Sequence, residues 1–190
     1  AQFNGYCKTK LGILYDQIFG RFVICRADLV IANSHASAEF VHTLSGRTDC
    51  HVIYRGIESE NIFRIQEAAN FKRDHKNKVI ISYIGRLIDG KGVKDLIAAI
   101  STLNHELFHC FIIGDGPELK RLENLVSEKD LEESVTFFGH RRFDEAIALL
   151  KVSDIFVNPS YSEGIPTTVI EAALCKKAII ATNVGGTREV

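Results

Sequence analysis

Asp154-Ile-Phe-Val-Asn-Pro-Ser-Tyr-Ser-Glu-Gly-Ile-Pro-Thr-Thr-Val-Ile-Glu-Ala-Ala-Leu174 passes from a short, apolar, β-favouring run to helical spacing through a loop that carries Glu163 and Gly164. Residues 154–158 read as a strand and 167–174 as a helix, which puts Glu163 on the loop and Glu171 inside the first turns of the helix. Loops at the carboxyl ends of strands, beside the amides of a helix N-terminus, are where open α/β sheets bind phosphate-bearing or sugar ligands. Each acid also has a plainer reading. Thr168-Val-Ile-Glu171 fits a capping box, and Glu163 fits a solvated loop carboxylate.

The same rhythm of strand, glycine-marked loop and helix fills the residues before and after it. Val79–Ile84 reads as a strand, Gly85-Arg86-Leu-Ile-Asp-Gly-Lys91-Gly92 as its loop and 93–103 as its helix. A second unit runs through strand 110–113, Gly114-Asp-Gly-Pro117 and helix 118–128. A third has strand 135–138, Gly139-His140-Arg141-Arg142 and a helix over about 144–151. Ala178–Ala181 is a last strand, closed by Asn183-Val-Gly-Gly186. This alternation predicts a mainly parallel sheet with crossover helices, and in such a sheet all four loops meet on one edge.

That edge collects chemistry. Arg86 and Lys91 offer a forked and a point cation at a helix mouth, which suits a diphosphate, although both also fit solvated surface cations. Gly114 and Gly116 let backbone approach a ligand or simply allow a tight turn. Residues 139–142 frame a base or present basic side chains to water. Glu171 suits a vicinal diol such as ribose, and Glu163 suits sugar hydroxyls or a developing oxocarbenium charge.

Toward the N-terminus, Leu11, Leu14, Tyr15, Ile18, Phe19, Phe22 and Val23 predict an amphipathic helix over 11–26 with one buried stripe. It is expected to pack on its own domain, since the opposite face lacks the dense lysine and arginine array of a membrane-surface helix. Residues 27–32 follow as a strand, Asn33-Ser34-His35 as a turn or N-cap, 37–44 as a helix and 50–54 as a strand ended by Arg55-Gly56. Residues 58–77 are polar, interrupted and weakly periodic, a linker pattern. Ser34 beside His35 reads as structural, because neighbours in a turn rarely form a catalytic pair and no orienting acid is evident.

The whole sequence has 190 residues, 46% of them apolar, with 23 basic and 24 acidic residues. It can bury a core in one or two domains, and it offers no basic field of the size nucleic acid needs. Cys7, Cys25, Cys50, Cys110 and Cys175 are odd in number and scattered, without metal or redox spacing, which points to a reduced, cytoplasmic setting. No signal peptide or membrane-length apolar run is present. The seven histidines show no zinc-ligand spacing, so no metal is expected. A start at Ala1 and an end just past Gly185-Gly186 read as a piece of a longer protein.

Gly-Arg-Leu-x3-Lys-Gly at 85–92, Gly-Asp-Gly-Pro at 114–117, Phe-Phe-Gly-His at 137–140 and Ser-Glu-Gly-x-Pro-x4-Glu-Ala at 162–172, in that order and spacing, resemble the C-terminal domain of retaining GT-B glycosyltransferases of family 4. Residues 27–34 and 52–58 resemble the end of that family's first domain and its crossing into the second. The resemblance implies an α/β, Rossmann-like parallel sheet with flanking helices, the C-terminal half of a GT-B architecture. Its parts would be the end of an acceptor domain at 1–57, a linker at 58–77 and a nucleotide-sugar domain at 78–190.

It further implies a nucleoside diphosphate sugar as donor, no cofactor or metal, and a glycan or lipid-linked acceptor. Peripheral contact with the inner face of a membrane would come through the missing N-terminal segment. Arg86 and Lys91 would hold the diphosphate in the reaction, Glu171 would meet the ribose, and Glu163 would face the transferred sugar with the amides of Gly164 and Ile165 beside it. Gly85, Gly114 and Gly116 would line the donor, and Gly139 and His140 would border the base. Arg55, Lys176-Lys177 and Thr167 depart from the family pattern, though none removes a charged ligand group. The fragment alone is expected to bind donor weakly and not to turn over. The rival readings are a non-catalytic nucleotide-sugar-binding module and, less well matched in its spacing, a sugar-nucleotide epimerase.

Overall fold

The computed structural model describes residues 15–190, and of residues 16, 69, 72 and 73 the backbone alone. Contacts divide it into two compact units. The first comprises residues 15–56 with the returning segments Tyr161–Pro166 and Asn183–Val190. In it a π-helical turn, Asp16–Gly20, leads into α1, Arg21–Arg26; β1, Val30–Ala32, α2, His35–Ser45, and β2, Cys50–Val52, follow. The two strands are parallel, with Val30 opposite Cys50 and Ala32 opposite Val52. Ser34 is the N-cap of α2, its Oγ accepting the Ser37 amide at 3.0 Å, and Gly46 ends the helix at φ 78°.

One sequence expectation fails in this unit. Leu11 and Leu14 lie outside the described residues, and the rest of the stripe foreseen as buried is open: Ile18, Phe19, Phe22 and Val23 are all more than half exposed. The residues that face α2 are others. Gly20 lies against Leu44, and Arg47 reaches back from the end of α2 to the carbonyls of Ile24 and Ala27 while pairing with Asp49 at 2.6 Å.

The second unit comprises Ile57–Ser160 and Thr167–Thr182. The stretch read as a linker carries two short helices, α3, Ser59–Arg64, and α4, Ala69–Asp74. Neither has enough length to stand alone. α3 persists because Ile62 is wholly buried against Ile147, Leu150 and Phe156 and because Lys151 Nζ donates to the carbonyl of Ile65; α4 is held by Phe71, whose ring meets those of Phe111 and Phe138, and by the Ala68 amide donating to the Ala148 carbonyl.

Then come β3, Val79–Ile84; α5, Val93–Ile100, after a 3-10 turn Asp89–Lys91; β4, Phe108–Ile113; α6, Leu119–Glu128; β5, Val135–Gly139; α7, Phe143–Val152; β6, Ile155–Asn158; α8, Thr167–Leu174; and β7, Ala178–Ala181. The sheet is all parallel in the order β5-β4-β3-β6-β7, as the alternation required. The interior strand β4, between β5 and β3, is buried at all six positions, whereas β7, at the edge, is mostly exposed. Ile97, Cys110, Ile112 and Leu131 pack one face and Phe111, Ile113 and Leu149 the other. Each large apolar side chain so buried contributes about 1.5–3 kcal/mol. No helix among the described residues is long and apolar enough to cross a membrane.

At the amino end of β4, His109 is buried beside His75, ring centroids 4.0 Å apart, with Nε2 2.8 Å from the Thr136 hydroxyl. Burial first, then the neighbouring charges of His75 and Lys78, lowers its pKa from 6.5 to about 4. Below pH 6.5 the unfolded chain binds a proton there that the folded chain refuses until about pH 4, so this group's contribution to stability is intact above 6.5 and declines on acidification. The expected slope is about 1 kcal/mol per pH unit across that window. Urea midpoints at pH 7 and pH 5 should therefore converge in His109→Gln relative to wild type; parallel shifts in the two proteins would contradict the assignment.

Candidate functional site

The carboxyl ends of β3, β4 and β5 carry the loops singled out by sequence, and main-chain hydrogen bonds stitch those loops together. The Gly85 amide donates to the Ile113 carbonyl at 3.0 Å, the Gly114 amide to the Gly139 carbonyl at 2.9 Å, the Leu87 amide to the Asp115 carbonyl at 2.9 Å, and the Glu118 amide to the Leu87 carbonyl at 3.0 Å. Tyr83, 1% exposed, fixes the first loop from below, its hydroxyl donating to the Arg86 carbonyl at 3.0 Å. Gly114 adopts φ 142°, and a Cβ there would overlap the Gly85 carbonyl oxygen; one at Gly116 would overlap that of Leu87. The absent side chains make room for the backbone of the neighbouring loop.

Within the second unit, then, Gly85, Arg86, Lys91, Gly114, Gly116, Gly139 and His140 share one edge of the sheet. Arg86 is exposed and Lys91 half-buried. Lys91 closes the 3-10 turn just before α5, whose N-cap, Gly92, has no side chain to offer the first-turn amides. Two cations beside a helix N-terminus favour an anion. Gly139 sits at φ 66° with nothing within 4 Å of where a Cβ would stand, and His140 beyond it is exposed. Arg141 leans over the Phe138 ring at 5.9 Å, and the Arg142 amide donates to the Glu145 carboxylate at 3.1 Å. Glu171 is half-buried on α8. Because α8 begins at Thr167, Glu171 lies two positions beyond that of a capping-box glutamate, and Thr168 is itself helical.

Glu163, Gly164 and Ile165 belong to the first unit. There the Gly186 amide donates to the Gly164 carbonyl at 2.9 Å, and Gly164 abuts the Asn33 side chain, whose Oδ1 accepts the Ser37 hydroxyl at 3.0 Å. Glu189 closes the arrangement. Its carboxylate accepts the His35 amide at 2.8 Å, the Ala36 amide at 3.0 Å and the Tyr54 hydroxyl at 2.9 Å. Partial burial opposes its ionisation, yet these donors hold the carboxyl below its ordinary pKa.

Sequence reading missed three residues of this architecture. Glu189 bonds groups of His35, Ala36 and Tyr54, far away in sequence, and Asn33 abuts Gly164, contacts with no local signature; the third is the buried Asn158. Asn158 ends β6, accepts the Ser160 hydroxyl at 2.9 Å, and keeps a buried Nδ2 without a partner among the described residues. The signal available was a polar residue closing an otherwise apolar strand.

Residues 65–190 match the family model described as glycosyl transferases group 1. The chain is 35% identical over 188 residues to an uncharacterized glycosyltransferase of Methanocaldococcus jannaschii, covering 96% of this chain and 48% of that one. It is 29% identical to N-acetyl-alpha-D-glucosaminyl L-malate synthase of Bacillus anthracis, covering 90% and 45%. Among solved structures it resembles Anabaena Alr3699/HepE in complex with UDP and glucose, with a TM-score of 0.82 at 26% identity, over 92% of this chain and 50% of that one. The chain thus spans about half the length of these relatives.

Proposed function

Because the chain belongs to the glycosyl transferases group 1 family, we propose that the full-length protein transfers a sugar from a nucleoside diphosphate sugar to a glycan, lipid or other hydroxyl-bearing acceptor, with retained anomeric configuration. The observation that carries this reading is the stitched edge of the second unit, where Arg86 and Lys91 stand on a loop pinned by Tyr83 and by the backbone of the next loop. In the reaction the bond from the anomeric carbon to the diphosphate oxygen breaks and its electron pair leaves with the diphosphate. Arg86 and Lys91 offset that charge without a metal. The acceptor hydroxyl oxygen forms the new bond on the face just vacated, and its proton departs with the diphosphate.

Glu171 serves the ribose of the donor, and Gly139 and His140 border the base. Glu163 stabilises positive charge on the transferred sugar, with the Gly164 and Ile165 amides orienting it. The UDP and glucose named with the Anabaena neighbour support a uridine donor as the first to try. The experiment is turnover of uridine, guanosine and adenosine diphosphate sugars by the full-length protein, with and without Glu163. Release of free nucleoside diphosphate that disappears in Glu163→Ala supports transfer, whereas nucleotide binding with no release from any donor makes the protein a binding module.

A further inference from the structure

Glu189 lies 26 residues beyond Glu163 in sequence, but the two are joined through a continuous set of contacts in the first unit. At one end, the first turn of α2 is fully satisfied: Glu189 takes the amides of His35 and Ala36, and Ser34 takes that of Ser37. At the other end, Gly185 and Gly186 lie so close under the Glu163 loop that a Cβ on Gly185 would overlap the Glu163 carbonyl, and one on Gly186 would overlap the Gly164 carbonyl and stand 2.8 Å from Ser34 Cβ. Between them runs the 3-10 turn Gly185–Glu189, so whatever holds Glu189 also holds the surface on which the Glu163 main chain rests.

We propose that Glu189 is a positioning residue for the reaction: by clamping the N-terminus of α2 and Tyr54 it fixes the Gly185-Gly186 turn and, through it, the placement of Glu163. This rests on the reading of Glu163 given above. No contact of Glu189 with substrate is involved. A carboxylate suits the role because it accepts three hydrogen bonds at once and complements the positive end of the helix dipole.

Two measurements on Glu189→Ala and Glu189→Gln test it. In turnover by the full-length protein, Glu189→Ala should lower kcat about 10- to 100-fold, the scale of a misplaced reacting group, while KM for the donor and the affinity for UDP stay within about twofold. Glu189→Gln, which keeps an acceptor oxygen, should fall between alanine and wild type. Independently of any activity, amide exchange at Gly186 should quicken by about tenfold or more in Glu189→Ala, while that at Gly114, bonded within the second unit, is unchanged. An unaltered Gly186 exchange rate overturns the proposal, as does a kcat loss matched by an equal loss of UDP affinity. If wild type transfers no sugar, the functional reading fails, and the exchange result still decides whether Glu189 positions this loop. If Glu189→Ala does not fold, the same two readouts on Glu189→Gln decide it.

Discussion

Glu163→Gln should lower kcat for sugar transfer by about 100- to 1000-fold while leaving nucleotide affinity within about twofold. The substitution preserves shape and removes the charge. A carboxylate that meets positive charge only as it develops on the sugar stabilises the transition state more than bound donor, so its loss falls on kcat rather than on KM. The residue is half-buried, and its loop is fixed by the Gly186-to-Gly164 hydrogen bond and the abutting Asn33, so a neutral amide cannot swing away to let another group take its place. Single-turnover rates and calorimetry on the full-length protein separate the two quantities. Equal losses in both would make Glu163 a binding residue, and no loss in either would remove it from the reaction.

Gly114→Val should cost more than about 4 kcal/mol of stability, because it combines a backbone conformation closed to side chains with a steric overlap that neither loop can relieve. At φ 142° the residue lies in a region reserved for glycine, and the Cβ would meet main chain rather than the movable end of a side chain. Gly139→Ala is the informative comparison. That site has φ 66° and open space around it, so only the backbone term applies, at about 1–2 kcal/mol. Urea midpoints of the two variants of the 190-residue chain measure the difference, and similar costs would mean that the loops are not packed as described.

Much of the second unit was legible from local pattern. β3 and β7 fall on the residues read as strands, and β4 and β5 differ only at their ends, because continuous apolar runs bounded by glycine leave few alternatives. The helices α3 and α4 were not legible. Their sequences are polar and short, and what stabilises them is burial of Ile62 and a lysine from α7 for the first, and the Phe71 ring against Phe111 and Phe138 for the second, none visible in a local window. The stripe through Ile18, Phe19, Phe22 and Val23 shows the opposite failure, a periodic apolar pattern that stays largely exposed, with Phe19 stacked on Tyr15 and Phe22 under the Arg26 guanidinium rather than in a core.

At the site, the charged residues were readable because cations, glycines and strand ends coincide in sequence. Two meanings shifted once geometry was known. Gly114 and Gly116 accommodate backbone, and the helix start at Thr167 takes the capping role away from Glu171. Glu189 was beyond reach, since its partners His35 and Ala36 lie more than 150 positions away and are main-chain amides, which carry no signature in the sequence.

The most direct test of the whole account is calorimetric titration of the full-length protein and its Lys91→Ala variant with whichever of UDP, GDP or ADP raises the melting temperature most. Loss of the Lys91 ammonium should weaken that nucleotide by about 1.5–3 kcal/mol, the scale of a charged hydrogen bond. Identical affinity in the two proteins would contradict the claim that this edge of the sheet holds the diphosphate.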